Sequence, residues 1–108
     1  MTELFSEDVV NENYEGLPEV MLIDGLESYC KEAEVYINEM RYEDMETLVR
    51  HAHSLKTMSK MVGAMQMALI CEEFEKNNGQ GKVKKEHIIQ HWPKVKIAIE
   101  TYVASLKY

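Results

Sequence analysis

Apolar residues recur three and four positions apart along most of this chain, the spacing that puts side chains on one face of an α-helix. Ile23, Leu26, Cys30, Ala33, Ile37 and Met40 form the first row, and Pro18 suits the first turn of its helix. Gly25 interrupts that helix at a cost of about 1 kcal/mol relative to alanine. A short connection at Tyr42–Asp44 follows, with Asp44 suited to an N-cap. The second row is Leu48, Ala52, Leu55, Ser59 and Val62, and Gly63 is expected to end or bend its helix. A third helix is expected over about Met65–Asn77, with Ala68, Cys71 and Phe74 inward. Asn77-Asn78-Gly79-Gln80-Gly81 then reads as a loop. The last helical region spans about Lys84–Lys107, with Ile88, Trp92, Val95, Ile99, Tyr102 and Leu106 inward. Pro93 is expected to break or kink it, because proline removes a helical hydrogen bond and clashes with the preceding turn.

Four amphipathic helices with short connections predict an all-α fold, an antiparallel up-and-down four-helix bundle over residues 17–108. No alternating run competes as a strand. Residues 1–16 are acidic and weakly patterned; Leu4, Phe5, Val9 and Val10 suit either a short extra N-terminal helix across the bundle or a frayed tail.

Composition narrows the class. With 108 residues, 45% apolar and 29% charged, the chain has enough apolar content for one modest core. The net charge of -7 argues against a nucleic-acid partner, which needs a basic face. No apolar run approaches the roughly 20 residues of a membrane span and no signal peptide is visible, so a cytoplasmic location and no membrane contact are expected. Cys30 and Cys71 fall on apolar faces and read as buried free thiols. Of the eight methionines, Met1 is the initiator and most others suit core gaps, with one or two at a partner surface.

The chemistry concentrates on the second helix. His53 lies one residue off the apolar row, so its imidazole is presented to water. Lys56 lies one turn further on the same side, Lys60 two turns further, and Arg50 adds positive potential nearby. A neutral imidazole, with a reference pKa of about 6.5, is a nucleophile near neutral pH. Taken alone, such a residue is usually an ordinary exposed helix histidine, and such a lysine a solvated one. His51, two positions away, points elsewhere and reads as partly packed. His87 and His91 are four apart, a spacing that can bind zinc, but no supporting ligand accompanies them; they read as solvated or capping, and no metal site is expected. Glu72, Glu73 and Glu75 read as a solvated acidic face.

The stretch HAHSLKTMSKMVGA resembles the histidine-containing phosphotransfer (HPt) domain family, whose signature is a helical histidine, then Leu-Lys-Gly, then a glycine about ten residues past the histidine. His53, Leu55, Lys56 and Gly63 occupy those places, and MALICEEFEKNNGQG is similar to the family's following helix. The resemblance covers roughly Leu17 to the end. One departure is Thr57, where the family usually has a glycine that lets the partner approach.

The resemblance implies a phosphorelay intermediate rather than an enzyme. His53 would accept a phosphoryl group from a receiver-domain phospho-aspartate and pass it to another receiver, with Lys56 stabilising phosphoryl charge. Response-regulator receiver domains and an upstream hybrid histidine kinase would be the partners of a monomer. No cofactor belongs to this chain; Mg²⁺ is expected on the receiver. Docking would centre on His53, with Val49, Arg50, Thr57 and Lys60 near it and Met65 or Met67 at the edge. Met1 and the length lean toward a free-standing protein. Two other readings stand beside this one. A histidine-kinase core usually has an acidic residue after its histidine, where Ser54 stands here, and 108 residues leave no room for an ATP-binding domain. A non-catalytic helical adaptor that binds receivers would keep the fold without the chemistry.

Overall fold

Each apolar row becomes a helix in the computed structural model, which describes residues 3–42 and 44–108. In chain order the helices are α1 (Glu7–Asn13), α2 (Glu19–Glu39), α3 (Met45–Met61), α4 (Met65–Lys76) and α5 (Lys85–Lys107). Glu43, in the predicted connection at Tyr42–Asp44, lies outside the described residues, as do Met1 and Thr2. The all-α architecture is an antiparallel up-and-down bundle of α2 to α5, with α1 laid against α3. Among the described residues no helix is long and apolar enough to cross a membrane.

Side chains start the helices where backbone N–H groups lack partners. The Ser6 hydroxyl accepts from Val9 N at 3.2 Å to open α1, and Asp44 Oδ1 accepts from Thr47 N at 2.9 Å to open α3. Those Thr47 contacts hold the Asp44 carboxyl below the usual carboxylate range.

The core is where the inward rows meet. Leu26, Met40, Leu55, Met67, Phe74, Ile88, Val95 and Ile99 are fully buried. Ser59, a polar member of the α3 row, shares a buried hydrogen bond of 2.7 Å with the Tyr29 hydroxyl. The Tyr29 ring packs edge-on against Trp92, with centroids 5.7 Å apart. Burial pushes the Tyr29 phenol well above its ordinary pKa, so it stays neutral.

This arrangement corrects the row expected in α2. Leu22 and Tyr29 are buried, whereas Ile23 and Cys30 are half-buried on its flank. Rotating the helix this way gives the Tyr29 hydroxyl its Ser59 partner, which Cys30 could not supply. Cys30 is free but only partly covered; Cys71 is free and buried. In α5, Val103 is buried where Tyr102 was expected; Tyr102 and Leu106 are half-buried. Pro93 does not break α5, which runs through it. Its ring is exposed, while Trp92 and Val95 beside it are buried. Their packing offsets the roughly 3 kcal/mol that an interior proline costs.

The N-terminal segment is tied to the α3–α4 turn. Asn13 Nδ2 donates to Met61 O at 2.9 Å, so a carbonyl left free at the end of α3 gains a partner, and Ser6 N donates at 2.7 Å to Gly63 O, which also accepts from Met65 N at 2.9 Å. Val10 is buried, and the Phe5 ring lies 5.3 Å from that of Tyr102. Gly63 ends α3 with φ +81°, and a Cβ there would collide with the Ser6 carbonyl oxygen. Glycine is therefore needed for both the turn and the close approach.

Candidate functional site

The buried row Leu48, Ala52, Leu55 and Ser59 fixes the rotation of α3 and turns His53 outward, its side chain 60% exposed. Across the α3–α4 seam, the Glu75 carboxylate reaches both His53 and Lys56. Glu75 Oε2 is hydrogen-bonded to His53 Nδ1, and Lys56 Nζ donates to Glu75 Oε1 at 2.6 Å. A carboxylate can only accept, so Nδ1 carries a proton, and in the neutral ring that tautomer leaves Nε2 with its lone pair. Nε2 has no protein partner among the described residues.

The trio is partly sheltered: the side chain of Lys56 is 17% exposed and that of Glu75 24%. The Lys56 hydrogen bond, followed by the smaller His53 one, holds the Glu75 carboxyl below its usual range against the opposing effect of burial. Glu75 in turn raises the Lys56 ammonium, so both stay charged near neutral pH. Beneath them, burial pushes the Cys71 thiol up to about 12, with the Glu75 charge adding to the effect. Cys71 is thus an inert wall and not a second nucleophile.

The model of the Hpt domain family matches residues 24–107. The chain belongs to the Hpt domain family. Hpt domains are histidine phosphotransfer intermediates of phosphorelays. The fold also matches the crystal structure of histidine-containing phosphotransfer protein B from Pseudomonas aeruginosa PAO1, with a TM-score of 0.80. That similarity covers 97% of this chain and 98% of the other at 19% sequence identity. No curated protein matches this chain.

The other residues singled out in this Hpt domain fall into place around His53. Arg50 and Lys60 are exposed on α3; Arg50 Nη2 donates to Thr47 Oγ1 at 3.3 Å. Thr57 is exposed, and its hydroxyl donates to the His53 carbonyl at 3.2 Å. Val49 and Met65 are half-buried. Met67 is 0% exposed and packs its sulfur 3.7 Å from Cys71 Sγ, so it cannot meet a partner. It lies on the inward side of α4 with Ala68, Cys71 and Phe74, the face expected from the sequence, to which Met67 is an addition.

The remaining histidines have structural surroundings. The His51 ring lies 4.8 Å from that of Tyr36, with Nε2 2.8 Å from Glu39 Oε2. His87 Nδ1 accepts from Lys84 N at 2.9 Å and so caps α5. His91 is half-buried, and its Nε2 is covered without a partner among the described residues. No group of three or more His, Cys, Asp or Glu able to hold a metal occurs among the described residues.

Glu75 is the member of this cluster that the sequence reading missed, having placed it on a solvated face. A signal for it exists: Ala68, Cys71 and Glu75 follow one another at three and four residues, and this row faces α3. An acid continuing an otherwise buried row requires a partner.

Proposed function

We propose that this Hpt domain accepts a phosphoryl group on His53 Nε2 from the phospho-aspartate of one receiver domain and passes it to another. The observation that carries the reading is Glu75 hydrogen-bonded to Nδ1, because it leaves the outward nitrogen as the nucleophile. The Nε2 lone pair forms the new N–P bond while the P–O bond to the aspartyl oxygen breaks. That bond's electron pair leaves with the aspartate as carboxylate. No proton has to leave Nε2, and the positive charge that develops on the ring is met by the Glu75 carboxylate. The reverse sequence unloads the group onto a second receiver.

Phosphoryl transfer asks mainly for in-line positioning and charge neutralisation. This chain supplies the nucleophile, its orientation and nearby cations. The Mg²⁺ and the phosphoacceptor aspartate belong to the response-regulator receiver, and a hybrid histidine kinase stands upstream. The protein acts as a monomer, docking its α3 face around Val49, Arg50, Thr57 and Lys60, with Met65 at the edge.

Incubation with a receiver carrying labelled phosphate tests this. The expected result is an acid-labile label on the protein that His53→Gln abolishes and His51→Gln leaves in place. Receiver binding without label transfer would make the protein an adaptor instead.

A further inference from the structure

The outer side of α2 begins with an apolar group that no described part of the chain covers. Val20 and Met21 stand in the first turn of the helix, and Leu17 precedes them by three and four positions. At about 100° per residue, Val20 and Met21 straddle the line opposite the buried row Leu22, Leu26 and Tyr29. Val20 is 61% exposed, Leu17 49% and Met21 48%. The other large apolar side chains exposed on α2 to α5 (Val35, Met45, Met61, Leu69 and Ile97) each stand more than two turns from the next along their helix. Single exposed apolar residues are ordinary, whereas a group of them with a polar rim marks a place where another surface binds.

Charge identifies the occupant. Eight of the nineteen acidic residues and none of the twelve lysines and arginines lie in residues 1–30, so that stretch carries -8 and the rest of the chain +1. The fold gathers part of this charge around the apolar group. Tyr14 sits so close over Gly25 that a Cβ there would collide with its hydroxyl, which holds the turn bearing Glu12 and Glu15 against α2. Glu12, Glu15, Glu19 and Asp24 are exposed, and none makes an ion pair among the described residues. Glu27, about one turn beyond Asp24, is paired with Lys107 at 2.9 Å.

We propose that this face of α2 binds a cationic amphipathic segment of a partner protein, with apolar side chains along one side and lysines or arginines flanking them. The apolar centre supplies burial, and the acidic rim supplies attraction and orientation. The same rim repels nucleic acid and anionic lipid surfaces, which leaves a protein segment as the occupant. This face is separate from the His53 cluster, which lies on the α3–α4 seam.

A fluorescein-labelled helical peptide of leucine and lysine, with its leucines at three- and four-residue spacing, is the probe. Its anisotropy is read during titration with the whole protein. Binding is expected, and Val20→Asn combined with Met21→Asn should weaken it about fivefold or more. Both side chains are exposed, so the circular dichroism of that variant should be unchanged. Glu19→Gln combined with Asp24→Asn should also weaken binding, with the loss shrinking as ionic strength rises. A peptide of the same composition, with its leucines scattered around the helix, should bind about fivefold less tightly. Amide NMR should place the shifts on residues 12–24.

No binding to the unsubstituted protein would overturn the proposal, as would unchanged affinity in the Val20 and Met21 variant. Equal binding of the scattered peptide would overturn it too, by reducing the attraction to charge alone. Shifts confined to residues 49–60, or displacement of the peptide by a receiver domain, would move the site to the α3 face. Sedimentation showing dimers of the unsubstituted protein, but monomers of the Val20 and Met21 variant, would make a second copy the occupant instead.

Discussion

Glu75 closes a hydrogen bond to Nδ1 of His53, a residue 22 positions earlier and on a different helix. The two meet only because α3 and α4 run antiparallel around the Gly63 turn. The bond settles which imidazole nitrogen faces outward, and the Lys56 ammonium keeps the Glu75 carboxylate ionised to make it.

Removing that carboxylate gives the first prediction. Glu75→Ala frees Nδ1, so the imidazole samples both tautomers and more orientations. Transfer to His53 should slow about 10–100-fold, by analogy with a metal-ligating histidine that loses the partner orienting it. Glu75→Gln keeps an acceptor and should lose less. Initial rates of labelling, with circular dichroism to verify the fold, measure both; a Glu75→Ala rate equal to the unsubstituted protein's would remove Glu75 from the site.

Thr57 provides a steric control. Its exposed side chain stands one turn past His53 on the face a receiver would cover. Thr57→Gly should keep or raise the transfer rate despite a loss of a few tenths of a kcal/mol in helix propensity. Thr57→Trp should block transfer and leave the melting curve nearly unchanged. Receiver titration followed by amide NMR locates the footprint. Shifts confined to residues 87–96, with 49–60 unmoved, would put the docking face elsewhere.

Leu55 sits opposite the site and is fully buried. Leu55→Ala removes buried methyl groups and leaves a cavity, at a cost of roughly 2–5 kcal/mol. That is a large part of the 5–15 kcal/mol or so typical of a whole domain. Chemical denaturation should show the midpoint falling with little change in slope.

His91 gives the fold a pH dependence. Burial first, and Lys94 second, hold its imidazole below the usual histidine range. His91 lines a surface pocket together with Ile70 of α4, Val83 of the α4–α5 connection and His87, Gln90 and Lys94 of α5. No carboxylate is among these neighbours. The folded state therefore binds a proton less readily than the unfolded chain. The stability that this contributes is complete above the unfolded pKa of about 6.5 and is lost as pH falls through the depressed folded value. Thermal melts at pH 7.5 and 5.5 should show a smaller drop for His91→Gln than for the unsubstituted protein. An equal drop in both would place the acid sensitivity in other groups.

The periodicity of α3 was enough to place Leu48, Ala52, Leu55 and Ser59 inside and His53 outside, because burial of a helix face is written in its own sequence at a 3.6-residue period. The same local logic located the N-cap at Asp44, the end of α3 before Gly63 and the loop after Asn77. Tertiary structure alone decided which neighbouring rows interlock. Tyr29 displaces Cys30 from the core because Ser59 lies opposite it, and Met67 turns inward because α4 is wedged against both α3 and α5. The acidic start of the chain becomes a docked helix because Gly63 has no Cβ to keep Ser6 away. Above all, Glu75 joins His53 and Lys56 through the axial offset of two antiparallel helices. That offset is set by how their side-chain ridges pack, a property of the pair that neither helix's sequence contains by itself.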